Sequence, residues 1–327
     1  MPLPTSFTLS DGRSIPAVGL GTWLSKPNEV KNAVEVALKA GYRHIDAAAC
    51  YDNEKEVGDG IKASGVDRKD IFLTSKLWNT HHKAEDVERA VDISLADLQT
   101  DYLDLYLIHW PVSFRRTTDA ERFPMRDDYL VDVIDIPILE TWKAMEALVK
   151  KGKIRSIGVS NFNAKNLETV LTAAEIKPVV NQVELHPYFQ QQELFDFCKE
   201  KNVLLEAYSP LGNNIYNLPM GLDDPTIKSI AADLGKTPVQ VILSWIVQRG
   251  IVVLTKSVTP SRIEQNLQVS ELPAEVMEKI KTVDRNSRYN FPARLGVDIF
   301  GDAKPGVIDK AMKEFQAKQK QLAGVTA

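Results

Sequence analysis

Cysteine is scarce: Cys50 and Cys198 are the only two in 327 residues. They stand far apart and at no metal-ligand spacing, which argues against a disulfide-stapled secreted scaffold and suits a reducing cytosol. Long apolar runs are missing as well. None approaches the ~18 residues that cross a bilayer, so no membrane partner is expected. The first ten residues carry neither a basic stretch nor an apolar core, so no signal peptide is expected. The last four, Gly324-Val-Thr-Ala327, match no address or lipidation signal. Nor is there a basic surplus: 40 Lys and Arg against 44 Asp and Glu leave a net charge of −4. That balance argues against nucleic acid as a partner. Gly-x-Gly-x-x-Gly occurs nowhere. Gly19-Leu-Gly21 begins like a dinucleotide fingerprint, but Trp23-Leu24 follows where a third glycine is needed, so a Rossmann fold has no support. The five histidines, His44, His81, His82, His109 and His186, form no His-x-His pair and no His-Glu-x-x-His. No metal is expected.

What is present has a regular beat. Composition is ordinary for a globular protein, 44% apolar and 26% charged, which excludes disorder, collagen and coiled coil. From Val18 to Leu267, short apolar or β-branched runs alternate with amphipathic stretches. Strands are predicted at Val18–Gly21, His44–Ala48, Ile71–Lys76, Leu103–His109, Ile154–Ser160, Val179–Glu184, Val203–Tyr208 and Ile251–Lys256. Helical patterns between them include Glu29–Ala40, Ala84–Leu98, Ile138–Lys151, Ala164–Ala174 and Gln191–Lys201. Gly41 and Gly152 sit just past helix ends. Thr237-Pro-Val-Gln240 reads as an N-cap, a first-turn proline and a capping-box glutamine, and Asp224-Pro225 opens a helix in the same manner.

Near-continuously apolar strands belong to a parallel sheet covered on both faces. Right-handed crossovers then leave an open doubly wound sheet or a closed barrel. Eight similar units without a break in composition favour a (β/α)8 TIM barrel, an α/β fold, with residues 1–327 as one domain. Asp11-Gly12, between Phe7–Leu9 and Ser14–Pro16, is a hairpin signal placed to plug the barrel bottom. Pro273–Val283 is predicted helical and Arg285–Pro305 irregular. Two other irregular segments, Pro111–Pro137 and Ser209–Asp224, follow strand C-termini, the face on which barrel enzymes carry their sites. Lys150, Lys151, Lys153 and Arg155 read as a solvated helix end.

Polar residues close most of these strands: Asp46, Lys76, His109, Ser160-Asn161, Gln182, Tyr208-Ser209 and Lys256-Ser257. In a barrel they would ring one mouth. Singly, Asp46 is equally an acceptor for backbone amides, and His109 a satisfied buried histidine. Lys76 ending an apolar strand is less easily dismissed, because lysine is seldom buried unpaired. Together with Tyr51 these groups make an acid–base set. An ammonium beside the phenol would lower its pKa from about 10, and a carboxylate would hold that ammonium in place. His81 and His82 are expected to face solvent, and His186-Pro187 to be structural. Lys256-Ser-Val-Thr-Pro-Ser-Arg262 leads into a helix starting at Pro260, where free amides and two cations suit a phosphate.

These residues resemble the aldo-keto reductase superfamily over nearly the whole chain, closest in appearance to fungal NADP-dependent aldehyde reductases and glycerol dehydrogenases. The resemblance rests on Gly19-Leu-Gly-Thr-Trp23, Gly41-Tyr-Arg-His-Ile-Asp46, Tyr51-Asp-Asn-Glu54, Thr74-Ser-Lys-Leu-Trp78 and Asp104-Leu-Tyr-Leu-Ile-His-Trp-Pro111. It continues through Gly158-Val-Ser-Asn-Phe162, Asn181-Gln182, Ala207-Tyr-Ser-Pro-Leu-Gly212 and Lys256 to Arg262. It implies a catalytic tetrad of Asp46, Tyr51, Lys76 and His109, with Tyr51 as general acid and His109 orienting the carbonyl. It also implies NADPH/NADP+ as cofactor. Ser160, Asn161 and Gln182 would meet the carboxamide, Tyr208 would stack on the nicotinamide, and Ser209 and Leu211 would touch the pyrophosphate. Lys256, Ser257 and Arg262 match the 2′-phosphate clamp, Gln265 and Asn266 the adenine contacts, and Thr22 and Trp23 also border the cofactor. Trp23, Trp78 and Trp110, with Asn290 and Leu295 from the C-terminal loop, would line the substrate pocket; plain core packing is the alternative for the tryptophans.

Three departures stand out. Thr255 replaces a usual proline, Gln265 replaces a frequent glutamate, and Gly212-Asn-Asn-Ile215 lacks an aspartate that clasps the pyrophosphate in some relatives, which predicts a looser clasp. The implied activity is reversible, NADPH-dependent reduction of aldehydes (small hydroxyaldehydes, aldoses or aromatic aldehydes) to alcohols, on a small-molecule carbonyl substrate, by a cytoplasmic monomer or weak dimer. The alternative is a non-catalytic NADP(H) sensor or channel-associated subunit on the same fold. Arg115, Arg116, Arg122 and Arg126 in the long loop are either solvated or folded over a substrate carboxylate.

Overall fold

Inward and outward positions alternate along every strand of this chain, and that alternation organises the molecule. The computed structural model describes residues 2–212, 217–322 and 324; the Asn213 to Ile215 part of the expected pyrophosphate loop lies outside them. An antiparallel hairpin, β1 (Ser6–Thr8) and β2 (Ser14–Pro16), precedes the barrel. Then come β3 (Val18–Gly21), β4 (His44–Asp46), β5 (Phe72–Leu77) and β6 (Leu103–Ile108). A small hairpin, β7 (Ser113–Phe114) and β8 (Val133–Ile134), lies in the long loop after β6. The barrel continues with β9 (Ile154–Ser160), β10 (Val180–Glu184), β11 (Leu204–Tyr208) and β12 (Val252–Thr255). The eight parallel strands close in the order β3-β4-β5-β6-β9-β10-β11-β12, with β12 paired back to β3. The closed barrel expected from the sequence is therefore the fold, and the open sheet is not.

The helices are α1 (Val30–Ala40), α2 (Glu54–Ser64), α3 (Ala84–Leu98), α4 (Ile138–Lys150), α5 (Ala164–Ala173) and α6 (Gln192–Glu200). They are followed by α7 (Pro225–Asp233), α8 (Pro238–Gln248), α9 (Pro260–Asn266), α10 (Ala274–Lys281) and α11 (Val307–Leu322). Their ends carry the chemistry their sequences announce. Thr237 and Gln240 form the capping box of α8, and Asp224 Oδ1 accepts from the Thr226 and Ile227 amides of α7. Gly41 closes α1 at φ 110°, a left-handed conformation that a side chain would strain. Among the described residues no single helix is long and apolar enough to cross a membrane. The basic residues around Gly152 are neutralised: Lys150 by Glu175, Lys151 and Lys153 by Glu88, and Arg155 by Asp104.

Outward-facing strand residues such as Leu20, Ile45, Leu73, Tyr106, Ile157, Val183, Leu205 and Val253 pack against the helices in the main core. Inward-facing residues change character along the barrel axis. At the bottom, Phe72, Leu105, Leu107, Val180 and Val252 meet Leu9 and Ile15 of the hairpin, which plugs that end. One level up stand His44, Thr74, Gln182 and Glu206, and at the top Asp46, Lys76 and His109; the in-register pairs Asp46↔Thr74, Lys76↔Leu107 and Gln182↔Glu206 place them on one face. Space for the large groups comes from Gly19: a Cβ there would lie 2.8 Å from His44 Nδ1 and 2.7 Å from Leu254 Cδ2. An apolar floor under a polar mouth is the result.

Candidate active site

β4 and β5 end side by side, and this places Asp46 and Lys76 in contact. Lys76 is wholly buried. Its Nζ donates to Asp46 Oδ1 at 2.8 Å and Oδ2 at 2.6 Å, to the Ala47 carbonyl at 2.9 Å, and to Tyr51 Oη at 3.3 Å. A 3-10 turn at Ala49–Tyr51, ended by Asp52 at φ 54°, brings the Tyr51 ring back over the strand ends. Thr22 braces β4 from the neighbouring strand, its Oγ1 donating to the Asp46 carbonyl at 2.9 Å. The tetrad expected from the sequence is thus assembled. Three of its members form one hydrogen-bonded unit, and His109 completes it edge-on to the Tyr51 ring at 5.8 Å.

The electrostatics depart from expectation at Tyr51. Burial, and after it the Asp46 carboxylate, pushes the phenol well above its ordinary range. The lowering anticipated from the Lys76 ammonium does not prevail, because Asp46 neutralises that charge at closer range. Tyr51 therefore keeps its proton across neutral pH. Since Lys76 donates into a lone pair of the phenol oxygen, the O–H is left to point elsewhere. Burial, then the Lys76 charge, drives His109 well below the usual imidazole range, so it stays neutral. Cys50 Sγ lies 3.5 Å from His109 Nδ1, and burial raises the thiol so that it remains protonated. A protonated thiol can donate to Nδ1, an arrangement that leaves the ring proton to Nε2.

Removing Lys76 would leave Asp46 buried and uncompensated. Lys76→Met is expected to cost about 3–5 kcal/mol of folding stability and to cripple turnover. Denaturant unfolding measures the first; a loss under about 1 kcal/mol would mean that the pair is worth far less than its burial implies.

Aromatic residues roof one side. Trp78, Trp110, Phe114, Leu295, Ile299 and Phe300 form a buried cluster beside His109, with Trp78 5.2 Å from its ring. Trp78 Nε1 donates to the Arg122 carbonyl at 2.6 Å, which ties the cluster to the long loop. Trp23 is half-buried and stands outside this cluster. Asn290 meets Tyr208 instead, Nδ2 to Oη at 3.0 Å. Its amide and that of Tyr289 donate to Glu184, whose carboxylate also accepts from His186 Nε2 at 3.0 Å. His186 is structural, as expected. His81 and His82 are not solvent-facing. His81 bonds Thr80 and Asp119, and His82 bonds Ser113 at 3.0 Å, because the 111–137 loop folds back over both. The four loop arginines are ion-paired: Arg115 to Asp132, Arg116 to Asp86, Arg122 to Asp52 and Arg126 to Asp128.

On the other side of the tetrad runs a chain of amides and hydroxyls. Gln182 Nε2 donates to Asp46 Oδ1 at 2.9 Å, and Ser160 Oγ donates to the main-chain carbonyl of Gln182 at 2.8 Å. Asn161, held at φ 66°, donates to Ser160 Oγ at 3.0 Å and accepts from Tyr208 Oη at 2.7 Å. Lys76 reaches this set through Asp46, which neutralises its charge. Such a set suits a neutral carboxamide better than an anion. Ser209, at φ 50°, and half-buried Leu211 follow at the rim. Farther out, Lys256 and Arg262 are exposed at the start of α9; Lys256 Nζ reaches only the Leu24 carbonyl, at 3.3 Å, and Ser257 Oγ accepts from the Thr259 amide. Gln265 is exposed and Asn266 half-buried on the same helix. Thr255 bonds the Tyr42 hydroxyl at 3.2 Å, a link that proline could not make.

The sequence matches the aldo/keto reductase family over residues 17–285. The chain belongs to that family. It is 48% identical to aldo-keto reductase family 1 member A1-A of Danio rerio, over 92% of this chain and 97% of the relative. It is 46% identical to a D/L-glyceraldehyde reductase of Hypocrea jecorina, over 88% and 90%. Among solved structures, the aldose reductase of Schistosoma japonicum superposes with a TM-score of 0.86 at 39% identity, covering 92% of this chain and 99% of that one. This aldo-keto reductase is an oxidoreductase of the family that generally uses NAD(P)H and acts on small carbonyl compounds. The resemblance seen in the sequence motifs is borne out, and nothing supports the non-catalytic alternative. Strand-end reasoning missed Glu206, His44, Glu184 and Cys50. The first three were findable as polar residues at inward parity; no signal marked Cys50.

Proposed function

We propose that this enzyme reduces aldehydes to primary alcohols with NADPH, reversibly, within one barrel domain spanning residues 1–327. The observation that carries the reading is the Asp46–Lys76–Tyr51 hydrogen-bond chain, with neutral His109 edge-on beside it. Bound NADPH supplies a hydride to the carbonyl carbon. The chain's own residues do the rest. His109 Nε2–H holds the carbonyl oxygen, and Tyr51, still protonated, gives its proton to that oxygen as negative charge develops. Lys76 steadies the phenolate left behind, and Asp46 keeps the ammonium in place. In alcohol oxidation Tyr51 takes the proton back.

Ser160, Asn161 and Gln182 would hold the carboxamide, and Tyr208 would lie against the nicotinamide ring. Thr22, Trp23, Ser209 and Leu211 would border the rest of the dinucleotide. Lys256, Ser257 and Arg262 would receive the 2′-phosphate, with Gln265 and Asn266 at the adenine. Trp78, Trp110, Leu295 and Trp23 would shape the substrate side, and Asn290 would brace Tyr208. The enzyme would work as a cytoplasmic monomer or weak dimer. Steady-state NADPH oxidation with glyceraldehyde tests the reading directly; absence of turnover at high enzyme and aldehyde concentration would overturn it.

Because the roof is aromatic and the loop arginines are engaged by carboxylates, neutral aldehydes should be preferred over charged ones. The comparison is kcat/KM for a uronate against a neutral aldose of similar size. A large advantage for the uronate would show that an arginine leaves its partner to meet the substrate carboxylate.

A further inference from the structure

Midway down the barrel stands an acid that the proposed chemistry does not use. Glu206 lies on β11 one inward step below Tyr208 and is completely buried. Its Oε2 accepts from Gln182 Nε2 at 2.7 Å, and the same nitrogen donates to Asp46 Oδ1 at 2.9 Å. Its Oε1 lies 3.5 Å from His44 Nε2. A side-chain amide has two N–H donors, and here an acid occupies each. Flipping the amide would set its carbonyl oxygen against two carboxyl oxygens at these distances. Asp46 already receives two hydrogen bonds from Lys76, so Glu206 is the partner with no other task.

We propose that Glu206 is a positioning residue: with Asp46 it locks the Gln182 amide so that its carbonyl oxygen faces away from both acids, ready to accept from the carboxamide N–H of a bound nicotinamide. The inference rests on the NADPH reading above. It holds in either protonation state of Glu206. Burial raises this acid to about 8, and a proton on Oε1, facing His44, leaves Oε2 free to accept from Gln182. Burial and the Lys76 charge press His44 down to about 3, so it adds no charge there. Asp46 and Lys76, the other charged groups acting on Glu206, are paired with each other.

The test compares NADPH with its 3-acetylpyridine analogue, whose methyl ketone has no N–H to offer. Glu206→Leu removes the acceptor, and Glu206→Met serves as a second uncharged variant of similar length should the first not fold. Glu206→Gln keeps an acceptor oxygen without the charge. Fluorescence titration should show NADPH bound about tenfold more weakly by Glu206→Leu or Glu206→Met. The analogue should bind them as it binds the wild type, and Glu206→Gln should restore NADPH. Equal losses for both dinucleotides, no loss for either, or no rescue by Glu206→Gln would overturn the role of Glu206 alone. Wild-type protein that binds neither dinucleotide would overturn the NADPH reading and this inference with it.

Discussion

Tyr51→Phe is expected to lower kcat for aldehyde reduction by about 10²–10⁴-fold while NADPH binds as before. The substitution deletes one oxygen. What remains is an aromatic ring in the same place, edge-on to His109 and under the Lys76 charge. Lys76 keeps its two bonds to Asp46 and the one to the Ala47 carbonyl, so the buried pair should survive. The loss should therefore fall on the chemical step. Single-turnover rates, with cofactor affinity measured separately by fluorescence titration, make the distinction. Wild-type kcat in this variant would transfer the acid role elsewhere, and His109 is poorly placed to take it, since burial keeps that ring unprotonated.

Replacing Lys256 and Arg262 together by alanine is expected to weaken NADPH by roughly two to four decades and barely touch NADH. A hydrogen bond to a charged group is worth about 1.5–3 kcal/mol, and tenfold in affinity is about 1.4 kcal/mol. The two dinucleotides differ by a 2′-phosphate of nearly two negative charges at neutral pH. Both cations are exposed, and Lys256 Nζ has only a long bond to the Leu24 carbonyl to give up. Ser257 lies between the two in the chain, its hydroxyl already turned toward the first turn of α9. Dissociation constants for both dinucleotides decide the matter. Parallel losses, or none, would place the phosphate elsewhere on the rim.

How far the sequence announces this molecule depends on the physical signal each part leaves. The barrel strands are legible to within about two residues at each end, because strands covered on both faces are almost uninterrupted apolar runs. α2 is not singled out by its pattern, since Gly58 and Gly60 dilute it. Those glycines are there for space: a Cβ at Gly58 would come 2.8 Å from the Asp97 carbonyl oxygen, and one at Gly60 2.6 Å from that of Lys31. α11 is missed for another reason, having no buried residue to set a period. At the site, reading strand termini together with Tyr51 just beyond one of them finds the Asp46, Tyr51, Lys76 and His109 group and the Ser160, Asn161 and Gln182 chain. It overlooks Glu206 and His44, one level deeper, although inward parity counted from Asp46 and Tyr208 reaches both. His81 and His82 are hidden by a loop whose path leaves no trace in local sequence. The direction of the Tyr51 shift is not legible either, because the balance between burial and a neighbouring ammonium depends on what else that ammonium touches.

Barrel closure has a consequence for synthesis. Val18–Gly21 pairs with Val252–Thr255, and the hairpin around Asp11-Gly12 packs on residues from Phe72 to Val252. The first contact cannot form, and the second is incomplete, until the eighth strand has left the ribosome. At ~5–20 residues per second the first strand waits on the order of ten seconds or more with one edge unpaired and the socket of its plug unfinished. Helices α1 and α2, which pack directly on each other, can form during that interval, and successive strands can pair, but the sheet cannot close. The vulnerable species of this protein is thus the nearly finished nascent chain, a curved open sheet with two bare edges, and that is the species a chaperone would have to shield.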